Sequence, residues 1–171
     1  TLVRFFYFER NWTTKSSEFL EKKQLRIANP LFHFGLLCVI GGHVVGVLIP
    51  KTWTAAIGIN DHMYHQGALY MGAVAGIIFI VGFLLLMKRR FTVPAMKVNT
   101  SGLDKWLYLF LTLAIFSGMA GTLLNASGFF DYRVSIGPWF RSLLSFMPDP
   151  SLMEGVPFMF KFHMLAWMVV A

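Results

Sequence analysis

The sequence predicts an all-α integral membrane bundle, and three observations carry that prediction. Hydrophobic residues fill 56% of the 171 positions and charged residues only 13%, which is too apolar for a soluble domain of this size. The apolar residues gather into three long runs free of Asp, Glu, Lys and Arg, each near the roughly 20 residues that a spanning helix needs. The basic residues sit between those runs instead of covering one face. The net charge of +7 therefore reads as membrane topology, with no nucleic-acid partner. The single cysteine, Cys38, lies inside the first run and reads as a packing residue. It leaves no disulfide framework, iron–sulfur cluster or thiolate zinc site to this chain alone, so a redox metal falls to histidine.

Taken in order, TLVRFFYFERNW at the start reads as the tail of an aromatic helix leaving the membrane, and residues 9–29 form a polar loop. The first complete span is expected over about 30–49, bracketed by Pro30 and Pro50. A connector follows, in which Asn60 or Asp61 is placed to cap the next helix. The second span, about 62–87, ends in Lys88-Arg89-Arg90 and carries a Gly72–Gly76 GxxxG pair and Gly82 as packing faces. The third, about 106–126, opens with Trp106 and Tyr108 at the interface. In the connector 127–155, Phe129, Phe130, Trp139 and Phe140 suggest an interfacial helix lying on the membrane. A last apolar run, about 156–171, is too short to span. Residues 1–171 thus read as a single membrane domain truncated at both ends.

Orientation follows from the Lys and Arg count. Eleven lie in 1–29 and 88–105 (Arg4, Arg10, Lys15, Lys22, Lys23, Arg26, Lys88, Arg89, Arg90, Lys97 and Lys105). Three lie in the opposite connectors (Lys51, Arg133 and Arg141). The positive-inside rule then puts 1–29 and 88–105 in the cytoplasm and the chain in the cytoplasmic membrane as a multi-pass protein.

The histidines carry the chemistry. His33 and His43 share the first span, about 15 Å apart along the axis and roughly 80° around it, with Gly35, Gly41, Gly42 and Gly46 leaving room for a flat, bulky group. A polar ring at such depth needs a partner. His163, six residues past Pro157, lies at the same depth as His43, about 10 Å below the outer boundary on an antiparallel helix. The two imidazoles are therefore candidate axial ligands of one b-type haem, and the partner of His33 falls beyond Ala171. The competing reading is a set of histidines hydrogen-bonding between helices. His62, Tyr64 and His65 cluster at the outer start of the second span. They read either as a polar interfacial group or as the acid/base residues that take protons from a quinol. Lys88, Arg89 and Arg90 read as interfacial anchors, with Arg90 the candidate partner for a haem propionate.

These residues resemble a known family. PLFHFGLLCVIGGHVVG, LLLMKRRF, TSGLDKW and FMFKFHMLAW are together similar to the gamma subunit, the cytochrome b, of membrane-bound respiratory nitrate reductase, over nearly the whole chain. The resemblance implies a five-span fold, here three complete spans with parts of the first and fifth, and two haems b stacked between helices. His43 and His163 would hold the distal haem and His33 one side of the proximal haem. It implies oxidation of menaquinol or ubiquinol near the distal haem, with protons released outside. Electrons would pass to an iron–sulfur beta subunit and a molybdenum alpha subunit that reduces nitrate. Some members carry a lysine near the quinol site in the stretch matching His62–Gln66, where this chain has none. Similar two-haem subunits serve heterodisulfide-reductase-like and sulfite-reducing complexes. A proton-coupled transporter is the non-redox alternative, but it predicts midplane carboxylates that the three complete spans lack.

Overall fold

A computed structural model describes residues 22–170. The expectations for the aromatic N-terminal stretch, and for Arg4, Arg10 and Lys15, lie outside the described residues. Among those residues every regular element is helical. Helix α1 (Leu25–His43) runs without a break into a π-helical turn, Val44–Leu48. Short α2 (Lys51–Ala56) leads to α3 (Asp61–Thr92), α4 (Pro94–Val98) and α5 (Gly102–Leu124). The chain then forms α6 (Ile136–Leu144), a 3-10 turn (Pro150–Met153) and α7 (Phe158–Val170). Three of these stretches, Leu25–Leu48, Asp61–Thr92 and Gly102–Leu124, are long and apolar enough to cross a membrane.

Local chemistry sets the ends. The first span opens at Leu25, five residues before the proline expected to start it. Pro30 forfeits one hydrogen bond, to the carbonyl of Arg26, near the polar end of the helix, and its fixed φ is already helical. At the other end, Pro50 has no N–H to continue the ladder, and the last turn widens so that the Ile49 N–H reaches Val44 O at 3.3 Å. Asn60, not Asp61, caps α3, its side-chain oxygen accepting from the Met63 N–H at 2.9 Å. Ser101 and Asp104 form a reciprocal capping box on α5. Of the aromatic residues expected in an interfacial helix, Trp139 and Phe140 lie in α6. Phe129 and Phe130 precede it in irregular chain, and Phe130 packs on Phe160 of α7 at 4.9 Å.

The bundle consists of two close pairs, α1 with α3 and α5 with α7, joined along α3 and α5. The first pair is locked by a reciprocal exchange of glycine for phenylalanine. Gly35 lies against the backbone of Phe79, where a Cβ would stand 2.5 Å from its nitrogen, and Gly82 lies against the backbone of Phe32. The Phe32 and Phe79 rings meet at 5.0 Å beside these contacts. They join Phe83 and Ile115 in the core. Gly76 faces Met119 of α5, and Gly72 approaches Thr122. Helix α3 therefore uses its small residues on two faces, one per neighbour, and close backbone approach supplies the packing that apolar solvent cannot drive. Cys38 is exposed on α1, so the packing role expected of it is not seen among the described residues.

Gly35→Val should loosen the α1–α3 crossing by about 1–3 kcal/mol, the usual cost of overpacking. Gly41, with nothing within 4 Å of a built Cβ, should accept alanine without loss. Thermal unfolding of the two variants in detergent checks the difference.

Candidate functional site

The structure brings His43 and His163 together. His43 is the last α-helical residue of α1, immediately before the π turn, and His163 lies in the first half of α7. Their ring centroids are 5.9 Å apart and their planes differ by 33°. Two metal–nitrogen bonds of about 2 Å, with the ring radii added, place facing imidazoles roughly 6 Å apart across a shared metal. The spacing suits one metal between them.

Each ring is held by its other nitrogen. His43 Nδ1 donates to Val39 O at 2.8 Å, His33 Nδ1 to Asn29 O at 2.9 Å, and His163 Nδ1 to Ala114 O at 2.9 Å. A carbonyl only accepts, so Nδ1 carries the proton and each Nε2 keeps a free lone pair. Metal-ligating histidines use this arrangement to fix the tautomer and aim the ring. Helix α5 adds a seat for His163. Ser117 Oγ lies 3.2 Å from its Nδ1, and Gly118 leaves the space that the ring fills, since a Cβ there would stand 2.7 Å from Cε1.

No group of three or more His, Cys, Asp or Glu side chains capable of holding a metal ion occurs among the described residues. Two opposed imidazoles suit a metal that brings its own equatorial ligands, as in a metallated macrocycle. His33 is exposed, meets Phe32 edge-to-face at 5.3 Å, and faces no second imidazole among the described residues.

The three residues expected to handle protons do not converge on one point. Tyr64 turns toward α1, where a Cβ on Gly46 would come within 3.2 Å of its hydroxyl and 3.0 Å of the Tyr132 ring. The Tyr64 and Tyr132 hydroxyls are 3.5 Å apart. Burial, followed by the contact with Tyr64, pushes the Tyr132 hydroxyl up, so it stays protonated. His65 turns the other way, with its Nε2 3.2 Å from Ala126 O past the end of α5. His65 thus donates through Nε2 and keeps Nδ1 as the open acceptor, the reverse of the other three. His62 is exposed on the first turn of α3.

Two groups at this end escaped the sequence reading as site residues. Arg133 is buried against Tyr64, its guanidinium carbon 3.7 Å from the ring centroid, and Nη2 donates to Thr54 Oγ1 at 2.6 Å. Lys51 pairs with Asp61 at 2.8 Å and Asp131 at 3.0 Å, which ties α2, α3 and the connector before α6 together. The only signal for either was a cation in an outer connector. At the opposite end, Arg90 is engaged with α5. Its Nη2 donates to Asp104 at 3.0 Å and to Asn99 O at 3.4 Å, while its Nε is buried without a partner.

Comparison with known proteins adds an independent line. The family model described as Nitrate reductase gamma subunit matches residues 1–171. The Nitrate reductase gamma chain of Bacillus subtilis is 46% identical over 170 residues, covering 99% of this chain and 76% of that one. The Respiratory nitrate reductase 1 gamma chain of Escherichia coli is 26% identical over 170 residues, covering 98% of this chain and 75% of the relative. The Nitrate reductase-like protein NarX of Mycobacterium tuberculosis is 39% identical over 165 residues, which cover 95% of this chain but 25% of that longer protein.

Two outcomes follow from this geometry. Gly118→Ala should force the His163 ring off its seat, at about 0.5–1.5 kcal/mol of rotamer strain. It should weaken any metal binding at the His43–His163 pair with helix content unchanged by circular dichroism. Gly121→Ala, whose nearest contact would be an ordinary 3.8 Å, serves as the control. The Lys51 ammonium should be lost from its latch only in strong alkali. Hydrogen bonds to Asp61 and then Asp131 raise its pKa above the ordinary 10.5, so its contribution is complete below that value and is lost as pH climbs through the raised one. Lys51→Met should therefore lower the melting temperature equally at pH 6 and pH 9, by the equivalent of about 0–1 kcal/mol for a partly exposed pair.

Proposed function

The chain belongs to the nitrate reductase gamma subunit family, a membrane-bound component of an oxidoreductase complex that associates with other subunits, and we propose that it is the cytochrome b that oxidises quinol for that complex. One observation carries this reading. His43 and His163 face each other at 5.9 Å with both Nδ1 protons already given to carbonyls. Such a pair would hold the iron of a b-type haem. His33, with the same Nδ1 arrangement, fits one side of a second haem. When bound, haem iron supplies a one-electron acceptor in the apolar bundle.

The residues of the chain do the rest. Val39 O and Ala114 O orient the two imidazoles, and the carbonyl-bound Nδ1–H groups raise the basicity of the ligating Nε2 atoms. Quinol oxidation releases two electrons and two protons, so a base is required beside the site. His65 Nδ1 is the open acceptor in this region, and exposed His62 on the same helix face returns the proton to solvent. Tyr64, beside the π turn that follows His43, contributes its hydroxyl to hold the quinol oxygen. The cation count supports a cytoplasmic side for residues 1–29 and 88–105 and an outer side for the His43 end, in a cytoplasmic membrane. With haem held at His43–His163 and at His33, the subunits that would take the electrons are an iron–sulfur beta subunit and a molybdenum alpha subunit that reduces nitrate.

A reduced-minus-oxidised optical spectrum with pyridine haemochrome quantification tests the reading on the full-length protein. Two haems b per chain, reducible by a quinol analogue, are expected. His43→Ala and His163→Ala should each remove the same haem, and His33→Ala the other. Loss of different haems in the first two variants would overturn the pairing, and well-folded protein without haem would overturn the proposal.

A further inference from the structure

Arg133 is a buried cation whose countercharge is missing among the described residues. It is 4% exposed. The neighbouring carboxylate is already committed, since Asp131 Oδ2 pairs with Lys51 and Oδ1 accepts the backbone N–H of Arg133 itself. The guanidinium is met by the Thr54 hydroxyl and the face of Tyr64, and its Nε is buried with no partner at all. A guanidinium has five donors in a rigid fork, and burying its charge without an anion or full hydrogen bonding is costly. Thr54 from α2 and Tyr64 from α3 fix the plane of that fork, as neither would for the flexible ammonium of a lysine.

Its position indicates what the fork is for. Tyr64, on which it stacks, touches the chain at Gly46, three residues past His43. Arg133 is therefore tied through Tyr64 to the turn that follows His43, on the connector side. We propose that Arg133 binds an oxyanion brought to that centre. The inference rests on the haem reading above. Two sources share the required chemistry, namely a carboxylate side arm of the haem between His43 and His163, and the ionised hydroxyl of a quinol beside it. Planar two-point recognition of an anionic oxygen is what a stacked guanidinium does best.

The test uses the complete complex in membranes, with Arg133→Gln and Arg133→Lys. Haem b content, the midpoint potential of each haem and the affinity for a quinol-analogue inhibitor are measured. A cation beside the iron disfavours the oxidised form. If the anion is the haem carboxylate, Arg133→Gln should keep both haems but shift the His43–His163 haem toward oxidation about tenfold, or about 59 mV for one electron. Arg133→Lys should recover part of that shift. If the anion belongs to the quinol, the potential should hold while inhibitor affinity falls about tenfold. Unchanged potential and unchanged affinity would overturn the proposal and leave Arg133 as a clamp between connectors. Should Arg133→Gln fail to accumulate, Arg133→Lys is read by the same two measurements, and no change in either again overturns it. Absence of haem b from the unaltered complex would instead sink the underlying reading. Normal haems with a silent Arg133 would remove this inference alone.

Discussion

An imidazole N–H on a membrane-spanning helix must be given to something, and this requirement shapes the centre of the molecule. Lipid offers no acceptor, so the proton goes to a backbone carbonyl that the helices have left within reach. His33 and His43 use the carbonyl four residues earlier on their own helix, while His163 reaches across to Ala114 on α5. The local bonds cost no additional packing. The third one does, because α7 must lie against α5 at one height, and Ser117 and Gly118 are shaped to receive the ring there. Once the Nδ1 protons are placed, the orientation of every Nε2 lone pair is fixed. The helix crossings then decide which of those lone pairs meet.

Glycine sets those crossings. Gly35 and Gly82 let α1 and α3 touch backbone to backbone, and Gly76 brings α5 to the other side of α3. Association in lipid gains little from burying apolar surface, so close approach and dispersion have to supply the attraction. Polar groups then collect at the two ends. One end holds Arg90, Asp104 and the α5 capping box, and the other holds Lys51, Asp61, Asp131 and Arg133.

Much of this was legible in the sequence, for physical reasons that also define what was not. Runs without charge mark spans because an unpaired ion in hydrocarbon is prohibitive. Counting residues from Pro50 and Pro157 gives the depths of His43 and His163, since helical rise is constant. The start of α1 was misread because Pro30 forbids a hydrogen bond, and not a helix, when it stands near an exposed end. The π turn was invisible, as widening depends on what the freed carbonyls find. Here Val47 O accepts from Arg141 of α6 at 2.6 Å, a partner 94 residues away. Arg133 was hidden for the same reason. Only the folding-back of the connector turns an ordinary loop cation into a buried one, and Cys38 shows the converse, an apolar-run residue left on the outside.

The widened turn at Val44–Leu48 also separates two jobs within one helix. A π turn holds one more residue than an α turn over the same rise, so the backbone after it is rotated with respect to the backbone before it. The stretch ending at His43 obeys the bundle, whereas the stretch that follows obeys the connectors through Tyr64, Tyr132 and Arg141. Changes of sequence in the outer loops can therefore be absorbed as rotation within that turn. A lineage could remodel its outer surface while His43 keeps its aim at His163.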